Sequence, residues 1–224
     1  MCGVIGAYII SPTDEDFKTV ERLFLESKIR GLHATGLSYV KNDTVHTIKE
    51  ALPADKFLKQ IDLRECLNED GNLYMIGHCR YSTSDLEYNQ PIGSDQIAIV
   101  HNGIMTQESV DKWEEKYHIK CEGKNDTELL LYSVEPYRDW PDASFAVIRL
   151  TDLKHMDWFR NGKRPLYFHQ SDNKVFLFST KDIGIRSGLS LIQEATGWKY
   201  YGIQNPQSFS NKYIDPVYKF YVNT

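Results

Sequence analysis

A cysteine stands directly behind the initiator methionine in "MCGVIGAY". Aminopeptidases remove Met1 when residue 2 is small, and a chain opening at Cys2 carries a thiol and a free α-amine on one residue. With pKa values of about 8.5 and about 7.7–8.0, the amine can take the thiol proton at modest cost. One residue then supplies both nucleophile and base. The plain alternative is a small apolar residue ahead of a strand.

Three other segments carry groups that would serve such a nucleophile. In "IVHNGI" the Asn102 side-chain amide and the Gly103 N–H are two donors able to face one oxygen, as an oxyanion hole requires. Asn-Gly is also a common tight-turn pair. In "GHCRYST" the guanidinium of Arg80 can hold a carboxylate bidentately, with Ser82 and Thr83 hydroxyls nearby, or it is a surface arginine at a strand end. In "KNDTELL" Asp126 sits at a helix start, where it would hold an ammonium or cap the helix.

Other chemistries fit less well. The glycines of "GLHATGLS" have phosphate-loop spacing, but Leu37 occupies the lysine position, and no G-x-G-x-x-G occurs. Cys2, Cys66, Cys79 and Cys121 lie far apart with no C-x-x-C pair, and neighbouring His78 and Cys79 point to opposite faces of a strand. That argues against a metal site. The 26 basic and 31 acidic residues leave a net charge of −5, with no run of five like charges. This balance suggests neither a nucleic-acid groove nor an anionic membrane surface as partner. No apolar stretch reaches a membrane span, and the acidic "SPTDEDF" is unlike a signal peptide, so the sequence reads as a soluble cytoplasmic chain.

The elements that must position these groups follow from periodicity. "GVIGAYII" reads as a buried strand. Thr13 with Asp16 caps a helix bearing Phe17, Val20, Leu23 and Phe24, which stops near Gly31. "GLSYVKNDTVHTIKE" reads as a hairpin about Asn42-Asp43, followed by a helical patch over 55–68. "LYMIGHCRYST" and "QIAIVHNG" are strands ending in polar residues. A helix from Thr106 presents Val110 and Trp113 on one face, and another covers "DTELLLYSV". Past Pro141 come the strands "SFAVIRL", "MDWFRN", "PLYFHQ" and "VFLFST", a short helix over "KDIGIRSGL" and a Tyr-rich tail. Many strands with two groups of helices predict an α+β or α/β domain, distinct from a doubly wound nucleotide fold.

Taken in order, "MCGVIGA", "RGLHATGLS", "GHCRYST", "NQPI", "IVHNGI" and "NDTELLL" resemble the glutamine amidotransferase domain of the class II type, an N-terminal-nucleophile hydrolase. The likeness runs from Cys2 to about Val134, and "RNGKRPLYF" and "FSTKDIGI" look like later core strands of that domain. It implies a four-layer αββα fold of two stacked, mainly antiparallel sheets, forming a single domain over 1–224. It also implies hydrolysis of L-glutamine to glutamate and ammonia without metal or organic cofactor.

Residue by residue, the resemblance makes Cys2, freed by loss of Met1, the nucleophile that becomes a γ-glutamyl thioester, its own amine acting through a water. Asn102 and Gly103 become the oxyanion donors. Arg80 with Thr83 becomes the clamp on the α-carboxylate, and Asp126 the partner of the α-ammonium. Gly31 and Gly36 permit close packing behind Cys2.

Two positions depart from the family pattern. His33 stands where members commonly carry Asp, and Ser84 where the sugar-phosphate synthases carry His. Family members usually join this domain to a synthase, so a separate ammonia-accepting synthase subunit is the expected partner. A γ-glutamyl peptide or amide hydrolase and a non-catalytic binding domain are the alternatives.

Overall fold

The computed structural model describes residues 1–82 and 88–203. In chain order the elements are β1 (Gly3–Ile9), α1 (Asp14–Ser27), β2 (Ala34–Lys41), β3 (Thr44–Glu50), α2 (Ala54–Phe57) and β4 (Leu73–Arg80). Next come β5 (Ile92–Gly93), β6 (Ile97–Ile104), α3 (Trp113–Tyr117), α4 (Pro136–Asp139), β7 (Ser144–Thr151) and β8 (Met156–Arg160). The last are β9 (Tyr167–Ser171), β10 (Lys174–Phe178), α5 (Lys181–Arg186), β11 (Gln193–Glu194) and β12 (Lys199–Ile203).

The strands form two antiparallel sheets. The larger runs β11-β9-β10-β1-β4-β2-β3 and the smaller β12-β8-β7-β6-β5. Strand alternation sorts the side chains into three cores. From β1, Val4 and Tyr8 face the smaller sheet, meeting Ala98, Val100, Ala146, Ile148 and Trp158. Ile5, Ala7 and Ile9 face the other way, onto Phe17, Val20, Leu23 and Phe24 of α1. On the far side of the smaller sheet, Ile99, Phe145, Val147 and Phe159 pack under Trp113, Leu129, Leu130 and Trp140. The result is a mixed α+β fold of layers αββα, as the sequence led us to expect.

Local chemistry explains the boundaries. Thr13 and Asp16 form a reciprocal capping box at the start of α1. The helix tightens into a 3-10 turn over Lys28–Arg30 before Gly31. Asn42 and Asp43 both adopt positive φ, 52° and 47°, the two-residue turn whose twist matches a hairpin.

The layer over the smaller sheet differs from expectation. The helix expected from Thr106 is reduced to a 3-10 turn over Val110–Lys112 and the five residues of α3, and Val110 is exposed while Trp113 is buried. "DTELLLY" is a 3-10 helix capped by the Asn125 side chain on the Thr127 N–H, so Asp126 is not the cap. Pro136 and Pro141 break this stretch, and burial of Leu129 and Leu130 holds the short pieces in place.

Candidate active site

The sheets bring the sequence-distant candidates to one end of the sandwich. Gly3 pairs with Cys79, so the β1–β4 ladder carried one residue further sets Cys2 opposite Arg80. By alternation Cys2 shares the inter-sheet face of Val4, and Arg80 that of His78 and Ile76. Asn102 on β6 lies on the face of Val100, which is the inner face of the other sheet.

Across the gap, the Cys2 backbone N donates to Asn102 Oδ1 at 3.2 Å. That bond fixes the orientation of the amide, because a donor must face its oxygen. Nδ2 of Asn102 is then left buried without a hydrogen-bond partner among the described residues. A buried amide donor left unsatisfied on the side chain that holds the Cys2 nitrogen is what a site for a transient anion looks like before the anion forms.

The second donor is also placed. Phe145, opposite Gly103, commits its N–H and C=O to Asn161, on the β8 side. The pair is therefore of the non-hydrogen-bonded kind, and the Gly103 N–H turns to the edge toward which His101 N–H also points. Glycine is required there: a Cβ would lie 1.8 Å from the Ser144 carbonyl oxygen.

Beneath this loop a polar platform holds β6. The His101 N–H donates to Gln90 Oε1 at 2.6 Å, and Gln90 Nε2 donates to Thr127 Oγ1 at 2.9 Å. The Thr127 hydroxyl lies 3.1 Å from His101 Nδ1, and His101 Nε2 lies 3.3 Å from the Ser144 carbonyl. For the neutral ring that burial favours, one assignment satisfies all four: Nε2 carries the proton, and Thr127 donates to Nδ1. Burial holds the His101 pKa below that of free imidazole, against the pull of Asp126. His78 is driven down to about 3, by burial first and by the nearby Arg80 and His101 charges second.

Asp126 accepts the Met105 N–H at 2.7 Å, so it anchors the residues that follow Gly103. Arg80 Nη1 donates to the Tyr88 carbonyl at 3.0 Å and to Asn89 Oδ1 at 2.7 Å, which fixes its direction. Thr83 and Ser84 lie outside the described residues. His33 braces the end of β4, where its Nδ1 accepts the Ser82 N–H at 2.9 Å and its ring lies 5.0 Å from that of Tyr81.

Sequence reasoning missed Arg30. Its Nε donates to the Cys2 carbonyl at 2.9 Å, fixing the backbone of the candidate nucleophile. It reaches there because Gly31 has no side chain; a Cβ would lie 2.4 Å from the backbone of Cys79 and Arg80. Gly36 instead makes room for the Gln90 carbonyl and Pro91, below the platform rather than behind Cys2. Arg30 adjoins Gly31 in "RGLHATG", the one signal that could have marked it.

The thiols divide sharply. Burial pushes Cys66 and Cys79 up to about 12, and burial with the Glu128 charge does the same to Cys121. Cys2 is partly exposed. Among the described residues no group of three His, Cys, Asp or Glu side chains is placed to hold a metal. A cavity of about 450 Å³ opens beyond Ile104, lined by Met105, Tyr117, Trp140 and Ser144, without reaching Cys2.

Neither protein-family models nor curated protein sequences give a match. Solved structures do. The glutamine phosphoribosylpyrophosphate (PRPP) amidotransferase from B. subtilis, complexed with ADP and GMP, superposes with a TM-score of 0.71 at 18% identity, over 92% of this chain and 48% of that one. An allosteric regulatory enzyme of purine biosynthesis gives 0.65 at 19% identity, over 92% and 48%. A glutamine aminotransferase class-II domain protein from Silicibacter pomeroyi gives 0.56 at 11% identity, over 95% and 100%.

The chain thus has the N-terminal-nucleophile hydrolase fold of class II glutamine amidotransferase domains. It spans about half the length of the PRPP amidotransferase and the whole of the Silicibacter domain protein.

Proposed function

We propose that this protein is a class II glutamine amidotransferase that hydrolyses L-glutamine to glutamate and ammonia, with Cys2 as nucleophile. The observation that carries the proposal is the Cys2 N to Asn102 Oδ1 bond across the two sheets, which leaves Asn102 Nδ2 buried and unpartnered among the described residues. Met1, 70% exposed, is open to removal, which turns the Cys2 amide nitrogen into a primary amine still able to donate to Asn102.

The amine then takes the thiol proton through a water, and Sγ attacks the side-chain amide carbon of glutamine. The carbonyl π electrons move onto oxygen, where Asn102 Nδ2–H and Gly103 N–H receive the charge. Collapse breaks the C–N bond as the ammonium returns its proton to nitrogen, releasing ammonia and leaving a γ-glutamyl thioester. Water attacks in the same geometry, releasing glutamate and the thiol.

Arg80 and Thr83 orient the α-carboxylate and Asp126 the α-ammonium, so that the amide end faces the thiol. Arg30 holds the Cys2 carbonyl. Ammonia passes to a separate acceptor enzyme. Glutamate release from glutamine by purified protein, with the N-terminus verified by mass, tests the reading. Activity in wild type and none in Cys2→Ala supports it; no glutamate from protein with a free Cys2 amine, alone or with added cell lysate, overturns it.

A further inference from the structure

Arg30 touches Cys2 directly, and the registers Ile5↔Phe178 of β1–β10 and Phe178↔Tyr167 of β10–β9, carried three residues further, set Arg164 two strands across from Cys2 on the inter-sheet face of Leu166 and Phe168. Arg30 makes its single hydrogen bond to the Cys2 carbonyl, and its Nη2 is buried with no partner among the described residues. Arg164, on the β8–β9 connection, has its Nε buried and equally unpartnered, and neither arginine forms an ion pair among the described residues. Burial lowers the Arg30 pKa first and the Arg164 charge lowers it further, and the Arg164 charge also lowers that of His101.

Cys2 and then Asp182 attract Arg30, and Asp182 spends its carboxylate on Thr180 and on backbone N–H groups at the start of α5. Arg80 is held separately by Tyr88 and Asn89. Two like charges with desolvated, unsatisfied N–H groups are costly unless an anion joins them. Planar guanidinium forks favour an oxyanion.

We infer that Arg30 and Arg164 form an anion-binding subsite adjoining Cys2 that takes the carboxylate or phosphate group of a small ligand, separate from the α-carboxylate clamp assigned to Arg80. The site is independent of the glutaminase reading, and its test needs only the Cys2 thiol.

The test compares alkylation rates of Cys2 by anionic iodoacetate and neutral iodoacetamide in the full chain, followed by peptide mass. Iodoacetate should react at least about fivefold faster than iodoacetamide, the factor that one opposite charge at contact distance gives in water. Acetate or inorganic phosphate should suppress only the iodoacetate reaction, and whichever does so at lower concentration identifies the group. Arg164→Gln should abolish the preference and Arg164→Lys should keep part of it. Iodoacetate no faster than iodoacetamide in wild type overturns the inference. So does a preference unchanged in Arg164→Gln, or an equal slowing of both reagents, which would mean that the arginines serve only the thiolate. Should Arg164→Gln fail to fold, Arg164→Lys against wild type decides, and an undiminished preference in that variant overturns the inference.

Discussion

Asn102 does two jobs with one side chain, and substitution can separate them. Oδ1 ties Cys2 to the opposite sheet at 3.2 Å, whereas Nδ2 has no folded-state partner among the described residues. Asn102→Ala removes both. The lost bond to a partly exposed backbone N–H should cost about 1 kcal/mol of folding stability. Loss of one oxyanion donor should cost about 2.7–4 kcal/mol in the transition state, a fall in kcat of about 10²- to 10³-fold. Asn102→Asp keeps the acceptor and replaces the donor by an anionic oxygen. It should therefore hold Cys2 in place and yet be at least as inactive as the alanine variant. Steady-state glutamate release gives kcat and KM, and urea denaturation gives stability. A kcat for Asn102→Asp within about tenfold of wild type would refute the assignment of Nδ2, since a missing donor costs far more.

Further expectations follow from packing and charge. Gly103→Ala would set a Cβ 1.8 Å from the Ser144 carbonyl and 2.5 Å from His101 Nε2, so β6 must shift; both kcat and thermal midpoint should fall, and retention of both would contradict the geometry. Arg149 and Asp157 form a buried two-bond pair at 2.7 and 2.6 Å. Arg149→Met should cost about 3–5 kcal/mol in urea denaturation by stranding the carboxylate, and adding Asp157→Leu should recover most of it. The folded-state pKa of His78, about 3, lies below its ordinary 6.5, so the unfolded chain binds the proton first as pH falls. The stability this residue contributes is therefore complete above pH 6.5 and is lost as pH falls from 6.5 toward about 3, at up to about 1.4 kcal/mol per pH unit. His78→Gln should show a shallower loss of denaturation midpoint between pH 6.5 and about 4.5; an unchanged slope would remove His78 from the acid response.

Much of the sandwich was legible because strands buried on both faces announce themselves as short apolar runs, from which Val4 and Ile5, or Val100 and Ile99, separate onto opposite faces. The convergence of Cys2, Arg80 and Asn102 was legible only through the resemblance of the ordered motifs, since Cys2 and Arg80 meet at one end of the larger sheet while Asn102 comes from the smaller. Arg30 and Arg164 were not, because they lie in connections whose path depends on tertiary packing, Arg30 on the closeness that Gly31 allows. The layer over the smaller sheet misled for a similar reason. Its apolar spacing fits a helix, but the prolines and the burial of adjacent Leu129 and Leu130 favour short 3-10 pieces. Asp126 was read as a helix cap or an ammonium partner, and the cap proved to be its neighbour Asn125. The strands β5, β11 and β12 were missed; the first two are two residues long, too short for any periodicity.

The central claim is that Cys2, freed of Met1, is the residue glutamine acylates. A diazoketone analogue of glutamine alkylates whichever nucleophile occupies the place of attack, and the mass of the labelled peptide identifies it. One adduct is expected, on a peptide that begins at Cys2 and lacks Met1, with saturating glutamine protecting it. An adduct on any other residue, or labelling of a chain that still carries Met1, would contradict the claim.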